Sequence, residues 1–471
     1  MYRYLFFDDQ KLFQRKNLTR CYGTPQLIPD SVYFDEYSST DLRTAFVFHT
    51  DDGKYRMVYQ GKLTDKTDRC LIAVSDDGIH FAPEDTTARL TLDDCAVPHE
   101  LFRIPSGEIA EVFEDPRNDP NERYKMLMCY TDSANYCVHG VLLTSPDLFH
   151  WTQVEGLEWN GGAEPITGVF YNEHRACYTI MVRPDWGVRR VGYVDTKDWR
   201  TFTPYELCLQ VDSLDAPLDE LYGMPSMAYG DRYIGFPHMY RGFESANHSK
   251  YHGGTIDAEL AYSWDGHHWQ RSLRTPFITG LDEQNRAVFG TYNPLLWASA
   301  FRVCENGDLL IYTSVSAKEH GPAFSEPGGG RIAVWKVEKD RLIALATESP
   351  ETEGVLSTRE NIWQSGEVHI NLACAHATLA VYESRGNDFL AHAYPLAGYA
   401  HEDCIPFSGD STDWVPQFKN GNTLQELVGK TLVLELKMTD GKVFAVSGDF
   451  VPAMNLEGAR FRMRGIVPTP I

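Results

Sequence analysis

Several signatures of common enzyme classes are missing from this sequence. The 10 cysteines among 471 residues form no Cys-x-x-Cys pair and no zinc-ligand spacing. No His-Glu-x-x-His motif, EF-hand loop, phosphate-binding loop or Gly-x-Ser-x-Gly motif occurs. These absences argue against a zinc peptidase, a P-loop nucleotide-binding enzyme and a serine hydrolase. The sequence predicts no cofactor and no metal ligand.

Long apolar runs and excess positive charge are missing as well. No run approaches the ~18 apolar residues of a membrane span, and the first nine residues lack the apolar stretch of a secretory leader. We therefore expect a cytoplasmic protein. Asp and Glu number 66 against 43 Lys and Arg, for a net charge of -23. Because this charge repels polyanions, we expect neither nucleic acid nor a membrane as partner.

Aromatic side chains are abundant instead. They make up 13% of the chain, with 25 Tyr, 24 Phe and 10 Trp. Such residues favour β-strands, and their rings also make surfaces on which sugars stack. Packing in a β-sheet core accounts for most of them.

A short pattern recurs four times along the first 270 residues. It consists of Ser or Thr, any residue, Asp, three further residues and an aromatic residue, and it occupies 75–81, 145–151, 196–202 and 263–269. The Asp carboxylate can accept backbone N–H groups within a tight turn, and Gly, where present, relieves a positive φ. The pattern predicts a repeated architecture with one such turn in each unit.

Each unit also contains a predicted strand hairpin, and a fifth hairpin follows the last Asp turn. The hairpin strands are predicted at 45–48 with 55–59, 110–113 with 124–128, 168–171 with 177–181, 226–229 with 233–236, and 300–303 with 309–312. No convincing amphipathic helix lies among them. The sequence therefore predicts an all-β protein, with a five-bladed β-propeller over residues 1–344 and a β-sandwich over 345–471. The expected role of the sandwich is to pack on the propeller and stabilise it, and it could also form the interface of a homo-oligomer.

These motifs resemble those of glycoside hydrolase families 32 and 43. The resemblance is carried by the turns at 145–151 and 263–269, the opening Phe6-Phe7-Asp8-Asp9, and Tyr222-Gly-Met-Pro225. It covers nearly the whole chain and implies a propeller with a sandwich behind it, acting on a carbohydrate. The resemblance implies that Asp41 corresponds to the nucleophile of the first blade and Glu164 to the acid of the third blade. The second-blade Arg-Asp-Pro motif of family 32 has no clean counterpart, because Asp115-Pro116 follows the strand.

Propeller geometry predicts where the chemistry would occur. The innermost strands of all blades start at one central funnel, and glycoside hydrolysis needs two carboxyl groups beside the scissile bond. The acids before or at these strand starts are Asp35, Glu36, Asp41, Glu108, Glu111, Glu164, Asp219, Glu220, Asp282 and Glu283. We predict a catalytic set of Asp41, Glu36, Glu164 and Glu220, with Glu164 favoured. The predicted substrate contacts are Arg183, Tyr222, His238, Asn293, Glu319 and His320.

Three functions remain open at this level. The favoured one is a glycoside hydrolase for a small oligosaccharide, for which a furanoside such as a fructoside or an arabinoside is one candidate. A glycoside phosphorylase would need Arg, Lys or His beside the acids to hold phosphate, and the funnel candidates are mostly acidic. A non-catalytic carbohydrate-binding propeller would have aromatic walls and no paired acids, since a fold alone does not establish catalysis.

Overall fold

The computed structural model describes most of the chain. It covers residues 2–63, 66–93, 95–117, 119–132, 137–157, 159, 163–184, 188–242, 254–278, 295–316, 330–384 and 394–453. Within strands, the side chains of 38–43, 131–132, 137–138, 163, 165–167 and 295–299 are outside this description. The predicted all-β fold is confirmed. None of the helices formed by the described residues is long and apolar enough to cross a membrane.

The chain forms two compact units. One comprises residues 25–305 and 309–336, and the other comprises 1–24, 306–308 and 337–471. The first strands are β1 (Tyr2–Leu5), β2 (Leu12–Lys16), β3 (Leu18–Tyr22) and β4 (Gln26–Leu27). A short 3-10 helix, Pro29–Ser31, follows β4 within the larger unit.

The larger unit contains five sheets. The first is made of β5 (Ser38–His49), β6 (Tyr55–Leu63), β7 (Asp68–Ser75), β8 (Ala82–Pro83) and β9 (Glu100–Ile104). The second is made of β10 (Glu108–Glu114), β11 (Tyr124–Asp132), β12 (Cys137–Ser145) and β13 (Thr152–Gln153). The third is made of β14 (Ala163–Asn172), β15 (Cys177–Pro184), β16 (Val191–Thr196) and β17 (Glu206–Leu209).

In the next part of the chain, short gaps separate β18 from β19, β20 from β21, and β22 from β23, and the two strands of each pair belong to different sheets. The relevant strands are β18 (Asp219–Gly223), β19 (Ser226–Tyr229), β20 (Arg232–Gly235), β21 (His238–Gly242), β22 (Gly254–Ala258), β23 (Ala261–Ser263) and β24 (Trp269–Arg271). Strands β19, β20, β23 and β24 form the fourth sheet. The fifth joins β18, β21 and β22 to β25 (Leu295–Val303), β26 (Leu309–Ser316), β27 (Arg331–Val337) and β4.

The five sheets close into a ring. Their inner strands contact one another in the order β5, β10, β14 and β19, and β25 of the last sheet contacts β5 of the first. A cavity of about 330 Å³ is lined by residues of all five inner strands, mainly from their C-terminal halves. The strand starts, with their acidic residues, therefore lie at the other end of the ring.

The repeated Asp turns have the predicted hydrogen bonds. In the first, Asp77 Oδ1 accepts the N–H groups of Ile79 and His80 at 2.8 and 2.9 Å, and Ser75 Oγ accepts that of Gly78 at 3.0 Å. The other three copies repeat this arrangement. The residue after each Asp has a positive φ, whether it is glycine or, as at Leu148 (72°) and Trp199 (57°), a bulky residue.

The smaller unit is a single curled eight-stranded sheet around its own apolar core. It adds β28 (Ile343–Thr347), β29 (Gly354–Thr358), β30 (Asn361–Glu383), β31 (Phe407–Trp414) and β32 (Thr431–Pro452) to the first three strands, with a 3-10 helix at Leu424–Leu427. Strand β32 runs without interruption through residues 439–442. The predicted division placed residues 1–24 in the propeller, whereas β1 pairs with β32, β2 with β29 and β3 with β28. These pairings span more than 300 residues, which local pattern does not reveal.

Candidate functional site

Three acidic residues lie at the starts of β10, β14 and β18, and β18 precedes the inner strand β19 along the chain. Glu108 is the first residue of β10, Glu164 the second of β14, and Glu220 the second of β18. Because the inner strands start at the same end of the ring, these carboxyl groups lie around one mouth. This mouth is the candidate functional site.

Glu108 and Glu164 form the closest acid pair of the mouth. Glu108 lies opposite Cys129 of β11 in the strand register. A carboxylate oxygen of each glutamate and Sγ of Cys129 all lie within 4.8 Å of one another. Among the residues that the structure describes, this is the group whose spacing would also suit a metal ion. The two carboxylates therefore approach at least as closely as the ~5 Å that separates the carboxyl groups of retaining glycosidases.

Glu164 also pairs with Arg183, which lies directly opposite it on β15. Their side chains are mostly buried, at 17% and 20% exposure. Burial raises the pKa of Glu164, Arg183 lowers it, and the neighbouring Glu108 raises it again, so that the pKa lies above its usual value. The environment therefore favours a protonated Glu164 more than water does.

Tyr222 connects this pair to the third acid. Two guanidinium groups approach its ring, with Arg183 at 5.3 Å and Arg189 at 5.1 Å from the ring centroid. Arg189 forms an ion pair with Glu220 and lies 5.1 Å from the ring of Tyr240. Tyr240 lies opposite Glu220 on β21. Two acid–arginine pairs therefore share one tyrosine ring, and this arrangement fixes their relative positions.

The structure brings four of the predicted residues together: Glu164, Glu220, Arg183 and Tyr222. Glu36 is exposed in the segment before β5. The backbone of Asp41 lies in β5, but its side chain is outside the described residues, as are Asn293, Glu319 and His320 altogether. His238 is buried, at 2% exposure, at the start of β21.

Two residues of the cluster, Glu108 and Arg189, were not singled out by the sequence. Glu108 and Glu111 were equivalent candidates near the second inner strand, and only the register distinguishes them. Arg189 lies 31 positions before its partner Glu220, and no local pattern links them. The signal available for Glu108 was its position at a strand start, which it shares with Glu164.

Asp35, the remaining acid before the first inner strand, has a different environment. It is 1% exposed, and its Oδ2 accepts the hydroxyl of Tyr59 at 2.7 Å and lies 2.9 Å from His99 Nε2. Its Oδ1 accepts the backbone N–H of Tyr37 at 3.0 Å. These contacts tie the start of β5 to β6 and to the segment before β9, so they explain Asp35 as a structural residue.

Solved structures of carbohydrate-active enzymes are similar to this chain. A glycosyl hydrolase from Bacteroides ovatus is 12% identical over 68% of this chain and 95% of its own, with a TM-score of 0.42. A beta-1,2-mannobiose phosphorylase from Listeria innocua is 11% identical over 72% and 97%, with a TM-score of 0.41. A thermostable family-43 glycoside hydrolase is 11% identical over 68% and 98%, with a TM-score of 0.42. The sequence matches no protein-family model and no curated protein sequence.

Proposed function

We propose that this chain is a carbohydrate-active enzyme that hydrolyses glycosidic bonds at the mouth of the propeller. The observation that carries the proposal is the approach of the Glu108 and Glu164 carboxylates to within 4.8 Å. Glycosidases require two such groups, one to protonate the leaving oxygen and one to act on the anomeric carbon. A pair that is this close leaves no room for a water molecule between them, which favours retention of configuration.

The electrostatics assign a role to each member of the pair. Because the pKa of Glu164 is raised, Glu164 is the proton donor. Its proton passes to the glycosidic oxygen as the C–O bond breaks, while a Glu108 oxygen forms a bond to the anomeric carbon. Arg183 stabilises the Glu164 carboxylate that results. That carboxylate then takes a proton from water, whose oxygen attacks the anomeric carbon and releases Glu108.

Leaving-group dependence tests these roles. A panel of aryl glycosides and oligosaccharides is assayed with wild type, Glu164→Gln and Glu108→Gln. A strongly acidic phenol departs without protonation, so Glu164→Gln should release it from its glycosides in a rapid burst, and should lose activity on natural saccharides. Turnover after the burst should be slow, because Glu164 is also the base of the second step, and azide, which needs no base, should restore it. Glu108→Gln should be inactive on both classes of substrate. Equal activity of Glu164→Gln and wild type on a natural saccharide would falsify the assignment.

A phosphorylase is the second candidate, and one observation favours it. Arg183 and Arg189 approach the same ring, Tyr222, so two guanidinium groups lie beside the acids. Guanidinium groups bind phosphate well. If the enzyme is a phosphorylase, cleavage will depend on added inorganic phosphate and yield a sugar 1-phosphate. Cleavage at an equal rate without phosphate, yielding a free reducing sugar, identifies a hydrolase. Saccharide binding without any product would identify the chain as a carbohydrate-binding protein.

A further inference from the structure

The β11–β12 hairpin extends beyond the acid pair. Glu108 begins β10 and lies opposite Cys129, but β11 continues to Asp132 and remains paired with β12. The residues after Cys129 therefore overhang the start of the inner strand. They stand on the rim of the mouth, one step farther out than the two carboxyl groups.

Tyr130 is the first residue of this overhang. Its side chain is 36% exposed, and its ring stacks on His139, the residue opposite it on β12, with centroids 4.9 Å apart and planes inclined by 16°. The backbone at Gly107 permits this placement. A Cβ at that position would lie 2.8 Å from Tyr130 Cβ and 2.1 Å from the Cys129 carbonyl oxygen, and φ of Gly107 is 93°. The glycine thus lets the hairpin pack directly beside the strand that carries Glu108.

Exposed aromatic rings are concentrated at this end of the propeller unit. Among the residues that the structure describes, four aromatic side chains of the larger unit are exposed: Phe34, Tyr37, Tyr130 and Tyr205. Phe34 and Tyr37 precede the start of β5, and Tyr37 packs on His99 at 5.6 Å. Three of the four rings therefore stand at the strand starts, where a ligand of the acid pair would enter.

We propose that Tyr130, held by His139, is a stacking platform for a sugar ring adjacent to the one that is cleaved. An aromatic face offers an apolar surface to the C–H face of a sugar, and the stacked histidine keeps the ring in place. Tyr130 follows Cys129, whose Sγ lies within 4.8 Å of both carboxyl groups, and its side chain is on the other face of β11. The platform therefore serves a second ring and not the one between the acids. The substrate class is then a saccharide of two or more units. This inference deepens the proposed function and rests on it for the identity of the cleaved ring.

Binding measurements test the platform independently of turnover. Calorimetry on the full chain carrying Glu164→Gln uses gluco-, galacto-, manno-, arabino- and fructo-configured disaccharides and the corresponding monosaccharides. We expect at least one disaccharide to bind more tightly than its monosaccharide. Adding Tyr130→Ala should weaken disaccharide binding by about 10-fold and leave monosaccharide binding unchanged. Tyr130→Phe, which keeps the ring, should bind like the parent.

The matched control is Tyr205→Ala. Tyr205 is 39% exposed, close to the value of Tyr130, but it precedes the outer strand β17. Equal affinity of the Tyr130→Ala and Tyr205→Ala proteins, or the absence of any preference for disaccharides, overturns the platform. Tyr130→Leu, which keeps apolar bulk, replaces Tyr130→Ala if the latter fails to fold. If Glu164→Gln leaves hydrolysis intact while Tyr130→Ala still weakens binding, the catalytic assignment falls and the platform stands.

Discussion

The Glu111 carboxylate accepts the backbone N–H of Gly168 at 2.7 Å and so joins the second sheet of the ring to the third. Both residues lie beside irregularities in the strand register, between Ile109 and Glu111 in β10 and between Pro165 and Val169 in β14. A bulge leaves backbone groups without ladder partners. The side chain of Glu111 supplies one such partner. Glu111 is buried, with 7% of the residue exposed.

The pH dependence of stability should reveal this buried acid. Burial raises the pKa of Glu111 well above its usual value of 4.5, against the lowering effect of the Gly168 N–H. A raised folded-state pKa stabilises the fold fully below pH 4.5, and this contribution is lost as the pH rises towards the folded-state pKa. Glu111→Gln is neutral at every pH and keeps an oxygen acceptor. Its free energy of unfolding, relative to wild type, should therefore increase from pH 4.5 to pH 8.

Urea unfolding at several pH values measures this difference. Glu111→Ala is the companion variant, and it should lose about 1–3 kcal/mol because the Gly168 N–H is left without its acceptor. A difference between Glu111→Gln and wild type that does not change with pH would show that Glu111 does not titrate in this range.

The pH dependence of the activity should respond to the charged neighbours of Glu164. A proton donor is active below its pKa, so the rate should fall on the alkaline side as Glu164 ionises. Glu108 raises and Arg183 lowers the pKa of Glu164. Arg183→Met should therefore shift the alkaline limb of kcat/KM to higher pH. Identical limbs in wild type and Arg183→Met would contradict this electrostatic account.

The Asp turns should contribute stability that acid removes. The backbone N–H groups of Thr201 and Arg200 lower the pKa of Asp198 to about 2. A lowered folded-state pKa stabilises the fold above the usual value of 3.8, and the contribution is lost as the pH falls towards 2. Asp198→Ala should lower the Tm at pH 7, and its deficit in unfolding free energy should shrink towards pH 3.

Asp76→Ala, in the turn of the first repeat, is the control for Asp198→Ala. Asp76 is 84% exposed and forms an ion pair with Lys54 on the surface. Exposed ion pairs contribute little to stability. A Tm loss for Asp76→Ala as large as that for Asp198→Ala would show that the turn hydrogen bonds are not the source of the effect.

The first strand should be essential to the smaller unit. Tyr4 of β1 is 1% exposed in the core of that unit, and its hydroxyl donates to Asn361. Tyr4→Ala should destabilise the unit by about 3–5 kcal/mol, as aromatic-to-alanine changes in cores do. Tyr394→Ala in the same unit should change stability by less than ~0.5 kcal/mol, because Tyr394 is 81% exposed. Thermal unfolding of both variants checks this, and equal melting curves would place β1 outside the cooperative unit.

The sequence by itself determined the local structure of this protein. The Asp turns are set by side chains that bond to a backbone two or three residues away, and each predicted hairpin joins strands that are neighbours in the chain. Alternation of apolar residues and turn residues was therefore enough to predict an all-β fold. The position of Glu164 at a strand start followed from the same local rules, whereas its pairing with Arg183 was not predicted.

Only the tertiary structure decided which residues from distant segments meet. The choice of Glu108 over Glu111 depended on a bulge, the approach of Arg189 to Tyr222 on packing between sheets, and the membership of residues 1–24 on pairing with β28, β29 and β32. The cause is that these contacts join segments far apart in the chain, and their free energy comes from burial and charge pairing that no short stretch of sequence encodes.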